Sequence, residues 1–148
     1  MKNIDGLDHI GIRVGDFPRS IEFYKAFGFQ LLRSDFQEGV MVLVHKRGPT
    51  LNLLDSAIES GTPHNILMDE SIKHAGYTHI ALKVNQITEA IDHINKLGHV
   101  ITEGPVRFGD GKTSIFIRDP DKNVIEFTQH KLPADSAMNG INKTGGAK

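Results

Sequence analysis

The chain contains neither cysteine nor tryptophan, and it has no apolar stretch long enough to span a membrane. The lack of cysteine excludes disulfides, thiolate metal ligands and a thiol nucleophile. The net charge of −1 provides no basic surface for nucleic acid or for an anionic membrane. Residues 1–8 lack the apolar run of a signal peptide. We therefore expect a cytoplasmic protein that binds neither nucleic acid nor a membrane.

Histidine is the one residue type whose number is unusual. The chain has 148 residues, of which 39% are hydrophobic and 24% are charged, as in an average globular domain. Eight of its residues are histidines. Histidine is the commonest metal ligand in proteins and titrates near neutral pH, so the positions of these side chains bear directly on function.

An internal repeat organises the chain. The segment Gly6–Val14 (GLDHIGIRV) aligns with Gly76–Val84 (GYTHIALKV) at an offset of 70 residues. The same register continues without a gap to Gly28 and Gly98. A match that holds across a strand, a helix and a helix-ending glycine indicates a duplication.

Each copy has the pattern of a βαβββ module. An alternating apolar strand is followed by an amphipathic helix, which Asp16 caps in the first copy, and then by three more strand-like segments. The sequence therefore predicts an α+β fold with one domain at residues 1–130, built from modules at about 5–56 and 74–130. The polar residues 131–148 are predicted to form a disordered tail. The later strands are expected near Gln30–Ser34, Val40–His45, Thr50–Leu54, Val100–Glu103, Thr113–Ile117 and Val124–Gln129.

Three side chains are candidate metal ligands. His9 and His79 recur at the same place in the opening strand of each copy, and Glu126 lies among Val, Ile and Phe in the last strand. A buried carboxylate is costly unless it is paired or binds a cation, and two imidazoles with one carboxylate form a known metal triad. The alternative is a pair of hydrogen-bonded core histidines, with Glu126 paired to Arg118 or Lys83. The recurrence of the histidine favours the metal.

The motifs resemble those of the vicinal-oxygen-chelate superfamily over residues 7–128. This superfamily includes glyoxalase I, methylmalonyl-CoA epimerase, fosfomycin-resistance transferases, bleomycin-binding proteins and type I extradiol dioxygenases. The resemblance implies a curved eight-stranded half-barrel whose concave face holds a divalent metal. It is also compatible with a homodimer, because such modules pair within one chain or swap between two. The matching segments are Leu7–Val14 (LDHIGIRV), Ser20–Tyr24 (SIEFY), His79–Val84 (HIALKV) and Ile117–Phe127 (IRDPDKNVIEF).

Three further positions bear on the reaction that the resemblance implies. Asn52 stands where glyoxalase I has a second glutamate, and an amide cannot accept a proton at neutral pH. His64 precedes His79 by fifteen residues, the spacing of the acid–base histidine in extradiol dioxygenases. The alternative for His64 is an exposed linker residue. Phe116 occupies a position where extradiol and fosfomycin enzymes carry tyrosine, so this chain lacks the hydroxyl group that both classes of enzyme have there.

The preferred hypothesis is an Fe(II)-dependent, extradiol-dioxygenase-like enzyme that oxidises a catechol-type small molecule with vicinal oxygens. His9, His79 and Glu126 would hold the metal, and His64 would act as catalytic acid–base residue. Mn, Zn or Ni are alternatives to iron. One alternative function is a glyoxalase-type lyase or isomerase, or a transferase, that uses another divalent metal. The second is a non-catalytic binding protein of the bleomycin-resistance type, against which the intact triad argues.

Overall fold

The computed structural model describes residues 3–57 and 62–131. Of the expected tail at 131–148, all but Lys131 lies outside the described residues. Eight strands and two helices follow the predicted order, and the largest difference is at the strand expected near Val100–Glu103, which spans Ile101–Arg107. The elements are β1 (Ile10–Arg13), α1 (Phe17–Ala26), β2 (Phe29–Asp35), β3 (Val40–His45), β4 (Thr50–Leu54), β5 (His79–Lys83), α2 (Ile87–Lys96), β6 (Ile101–Arg107), β7 (Thr113–Arg118) and β8 (Val124–Gln129).

The strands form two four-stranded sheets with the same topology. The first sheet has the order β1-β4-β3-β2 and the second β5-β8-β7-β6. In each sheet the first and last strands of the module pair in parallel, and the other pairs are antiparallel. The α+β class and the tandem βαβββ modules are thus confirmed. The eight strands, expected to form one half-barrel, are divided between these two sheets. In the described ranges β1 and β5 are edge strands, each paired on one side only.

Local interactions fix where the two helices begin and end. Asp16 caps α1 as expected, since its Oδ1 accepts a 2.7 Å hydrogen bond from the backbone N–H of Arg19. The second helix has no such cap of its own. Instead, Gln129 at the end of β8 accepts a 2.6 Å hydrogen bond from the N–H of Ile87. Neither helix is long and apolar enough to cross a membrane, within the residues that the structure covers.

The two modules share one hydrophobic core. The rings of Phe27 and Phe127 lie 5.4 Å apart across the junction, and His93 Nε2 donates a 2.8 Å hydrogen bond to the carbonyl oxygen of Ala26. The end of α1 therefore meets both α2 and β8 at the junction between the modules. The fully buried apolar side chains come from both modules and are Val14, Tyr24, Met41, Leu43, Leu51, Leu53, Ile94, Ile115, Ile117 and Ile125.

The turn between β7 and β8 also joins the modules. The carboxylate of Asp121 accepts hydrogen bonds from the N–H of Gly15 at 3.1 Å and from Ser20 Oγ at 3.2 Å. It also forms an ion pair with Arg19, whose Nη2 lies 2.6 Å from Asp121 Oδ1. The DPDKN motif is therefore both the predicted turn and a polar contact with the start of α1, which sequence reasoning did not foresee.

Candidate metal site

Glu126 and His79 meet on the open face of the second sheet. Glu126 lies in the middle of β8, and its neighbours Ile125 and Phe127 face the core. Only 13% of its side chain is exposed. Its Oε2 atom lies 3.1 Å from Nε2 of His79, the first residue of β5. The neighbouring strands β8 and β5 therefore bring one carboxylate and one imidazole together.

Two residues of β7 flank this pair. Ser114 is fully buried, and its Oγ donates a 2.6 Å hydrogen bond to Glu126 Oε1. Phe116 lies directly opposite Glu126 in the sheet, and its ring meets the His79 ring edge-on with centroids 6.0 Å apart. Sequence reasoning missed Ser114. The available signal was the strand period of two, which puts Ser114 on the same face as Phe116.

His9 lies away from the other two candidate ligands. It precedes β1 of the first sheet, and its Nδ1 forms a 2.6 Å hydrogen bond with Asp8 Oδ2. In the described part of the chain, no group of three or more histidine and acidic side chains could hold a metal ion. One chain therefore brings together two of the three expected ligands, His79 and Glu126. The complete triad remains a prediction.

The chemistry of the assembled pair suits a divalent transition metal. Imidazole nitrogen and carboxylate oxygen are ligands of Zn²⁺, Ni²⁺ and Fe²⁺, and a hydrogen bond to the second carboxylate oxygen is a common support. Two donors are fewer than the three that a catalytic site of this kind needs. The residues thus fit a metal in part, and one more donor is required.

Asn52 is the counterpart of Glu126 in the first module. It lies beside Gly11 of β1 and opposite Val42 of β3, as Glu126 lies beside Ala81 and opposite Phe116. The sequence alignment of the two closing strands therefore corresponds to equivalent places in the two sheets. At this place the first sheet carries an amide that can neither bind a proton nor supply a negative charge.

A groove of about 950 Å³ runs between β1 and β5 and includes His64 and His79 in its lining, but not Glu126. His64 Nε2 donates a 2.8 Å hydrogen bond to Glu70 Oε1, and the side chain is about half exposed. The proposed acid–base residue thus faces the groove with a carboxylate partner. Its role in catalysis remains a prediction.

Arg118 does not neutralise Glu126, which was one alternative to a metal. Its Nη2 atom lies 2.8 Å from Asp69 Oδ1 in the linker, and its Nη1 donates to the carbonyl oxygen of Lys122 at 2.8 Å. The hydrogen bond from the Asn65 backbone, helped by the charge of Arg118, lowers the pKa of Asp69. Arg118 therefore fastens the linker to the second sheet.

A cationic side chain lies within electrostatic range of Glu126. The pKa of Lys112 is raised, first by its hydrogen bond to Asp110 and by that residue's charge, and to a smaller degree by the charge of Glu126. Lys112 Nζ lies 2.7 Å from Asp110 Oδ2 in the turn before β7. Lys112 and Asp110 therefore form an ion pair just before β7.

The fold has two tandem βαβββ modules, and the second sheet carries the pair formed by His79 and Glu126. The family model of the Glyoxalase/Bleomycin resistance protein/Dioxygenase superfamily matches residues 6–127. The chain belongs to this superfamily.

Relatives of the chain include enzymes named for lyase activity. It is 32% identical to the lactoylglutathione lyase of Haemophilus influenzae, over 83% of this chain and 91% of that one. It is 35% identical to a probable lactoylglutathione lyase of Synechocystis, over 86% of this chain and 97% of the other. A glyoxalase/dioxygenase structure from Nostoc punctiforme has the same fold, with a TM-score of 0.68 and 20% identity over 87% of this chain and 93% of that one.

Proposed function

We propose that the chain is a divalent-metal-dependent lyase or isomerase of the glyoxalase kind. Its substrate would be a small molecule with two neighbouring oxygens, such as the hemithioacetal of a 2-oxoaldehyde and glutathione. The pair formed by His79 and Glu126 is the observation that carries this proposal. The names of the relatives at 32–35% identity support a lyase.

We propose that His9 of a second copy completes the metal site. The outer edges of β1 and β5 are open in the described residues, and an open strand edge readily pairs with another chain. Leu7 and Tyr77, beside these two edges, are 79% and 100% exposed. In a homodimer with β1 of one copy alongside β5 of the other, His9 would lie near the partner's His79 and Glu126. Two equivalent sites would result.

The metal and the side chains of this site would have different roles in the reaction. When bound, the metal would act as a Lewis acid on the two substrate oxygens. A proton removed from the carbon next to a carbonyl needs an acceptor, and Asn52 cannot serve. Glu126 and His64 are the proposed acceptors, the first at the metal and the second in the groove. This limited set of bases predicts a slower enzyme than one with two carboxylates.

The lyase is preferred to the dioxygenase that sequence reasoning favoured. The named relatives are lyases, and Phe116 provides no hydroxyl group beside His79. A reaction without redox change has no need of iron, so Zn²⁺ or Ni²⁺ is the proposed metal.

The test is a pair of assays on metal-free protein loaded with Zn²⁺, Ni²⁺ or Fe²⁺. Thioester formation from methylglyoxal and glutathione is the expected result, with Zn²⁺ or Ni²⁺, and Glu126→Gln should abolish it. Oxygen uptake with a panel of catechols, in the absence of thioester formation, would instead favour the dioxygenase. Protein that binds none of the three ions would exclude both enzymes.

A further inference from the structure

The geometry points to Ser114 as the positioning residue for Glu126. We propose that its buried hydroxyl holds one carboxylate oxygen of Glu126 and thereby presents the other to the metal. This inference rests on the proposed function, because it concerns the ligand of the same site. It assigns a role to a residue that neither the candidate triad nor the acid–base hypothesis includes.

The contacts of the carboxylate divide its two oxygens between different partners. Ser114 Oγ donates to Oε1 at 2.6 Å, whereas Oε2 lies 3.1 Å from His79 Nε2. Hydrogen bonds to a carboxylate are short and strong when the donor is well placed. With Oε1 held by the serine, Oε2 is the oxygen directed toward the histidine. Glu126 would therefore bind a cation through a single oxygen.

The backbone of Ser114 has little freedom to move. It pairs with Thr128 of β8 on one side and with Val106 of β6 on the other. Its carbonyl oxygen packs against Gly104, where an added Cβ atom would lie only 2.6 Å away. The close approach of β6 therefore requires the glycine and fixes the strand that carries the hydroxyl. A ligand partner on a fixed strand is well suited to set the direction of a carboxylate.

The orientation of Glu126 matters more for metal affinity here than in a site with two carboxylates. Because Asn52 stands in the equivalent place of the first sheet, Glu126 is the only negatively charged ligand in the proposed triad. A loss of its orientation cannot be offset by a second carboxylate. Partners that orient metal ligands typically contribute 10–100-fold in metal affinity.

Thr128 provides a matched control for the loss of a buried hydroxyl. It lies directly opposite Ser114 on the neighbouring strand β8 and is 7% exposed. Its Oγ1 has no hydrogen-bond partner among the described residues. Removal of either hydroxyl changes a buried position of the same sheet, but only Ser114 contacts the carboxylate. The comparison separates a positioning role from a merely structural one.

The experiment measures Zn²⁺ and Ni²⁺ affinity by calorimetry on the full-length chain, with the visible spectrum of the Co²⁺-loaded protein as a second readout. Ser114→Ala is expected to weaken binding by roughly 10–100-fold and to alter the Co²⁺ spectrum. Ser114→Thr, which keeps the hydroxyl, should restore much of the affinity. Thr128→Val should bind as the wild type does. Thermal unfolding of each metal-free variant establishes that it is folded.

Three results would overturn the inference. Wild-type affinity and spectrum in folded Ser114→Ala would remove the role of the hydroxyl. An equal loss in Thr128→Val would assign the effect to the packing of the sheet. If the wild-type chain bound neither Zn²⁺ nor Ni²⁺, the proposed function itself would fail, and this inference with it. The first two results, in contrast, would overturn the role of Ser114 and leave the proposed function intact.

Discussion

The hydroxyl of Tyr24 donates a 2.9 Å hydrogen bond to Asp119 Oδ2, so that α1 contacts the turn 95 residues later in the chain. The other oxygen of Asp119 accepts the backbone N–H groups of Asp121 at 2.9 Å and Asn123 at 2.8 Å. Both Tyr24 and Asp119 are buried. Because this turn leads into β8, the tyrosine of the first module helps to fix the strand that carries Glu126.

This contact predicts a loss of stability at alkaline pH. Burial, with a further contribution from the charge of Asp119, raises the pKa of Tyr24 well above its usual value of 10.0. The unfolded chain then loses this proton at a lower pH than the folded chain does. The contribution of Tyr24 is complete below pH 10 and declines as the pH rises toward the folded pKa, by about 1.4 kcal/mol per pH unit. Urea unfolding between pH 8 and pH 11 measures this slope.

The two tyrosines of the chain make the test specific. Tyr77 is fully exposed, so Tyr77→Phe leaves Tyr24 as the only source of tyrosinate absorbance. In this variant the absorbance should rise only as the protein unfolds. Tyr24→Phe should remove its part of the alkaline slope and destabilise the protein at pH 7 by about 1–3 kcal/mol, since Asp119 loses a donor. Titration of Tyr24 near pH 10 in folded protein would contradict the raised pKa.

A second prediction concerns the hydroxyl of Thr128, which has no hydrogen-bond partner in residues 3–57 and 62–131. A buried hydroxyl without a hydrogen bond costs free energy, and valine has nearly the same shape without it. Thr128→Val should therefore raise the free energy of unfolding by about 1 kcal/mol. Thr128→Ser, which keeps the hydroxyl and loses the methyl group, should lower it. Thermal unfolding of metal-free protein measures both, and a less stable valine variant would indicate an internal water molecule as partner.

Most of the fold could be predicted because its signals are local or repeated. The duplication identified both modules, and the alternation of apolar residues located the strands Val40–His45, Thr50–Leu54 and Val124–Gln129 with the observed limits. The left-handed backbone at Gly28 and Gly98, with φ angles of 87° and 75°, ends the helices where the glycines predicted.

The rest depends on contacts between distant residues that no local pattern records. Glu126 was predicted as a buried ligand. The register between β7 and β8, which makes Ser114 its partner, is a property of the folded sheet. His9 and His79 were expected on one face of a single half-barrel. His9 precedes β1 and His79 begins β5, and these are edge strands of the two described sheets. The alignment of the repeats cannot tell whether the two edges meet within one chain or between two.

Complementation tests whether the metal site lies between two copies. His9→Ala and Glu126→Gln should each be inactive as purified homodimers. In a mixed dimer, the wild-type His9 of one copy would join the intact His79 and Glu126 of the other. Co-expression of the two variants should thus recover about a quarter of wild-type lyase activity, since half of the dimers are mixed and each has one intact site.

The control for complementation is a pair of variants on the same half of the site. His79→Ala and Glu126→Gln alter residues that one chain already brings together, so their mixed dimer has no intact site. This pair should show no recovery. Failure of the His9 and Glu126 pair to recover, with full activity in a monomeric wild type, would place the site within one chain.

The amide at position 52 leads to a prediction of gained activity. Asn52 lies between Gly11 and Val42 on the strand that corresponds to that of Glu126, and its replacement by glutamate would supply a second carboxylate base. Asn52→Glu should increase thioester formation by at least tenfold, since general bases contribute roughly 10²–10⁴-fold. Asn52→Gln has the same length without the charge and should produce no gain.

Because a carboxylate is also a better metal ligand than an amide, Zn²⁺ affinity should rise in Asn52→Glu alone. Lower turnover in Asn52→Glu, in spite of tighter Zn²⁺ binding, would mean that the reaction needs an open metal position there rather than a second base.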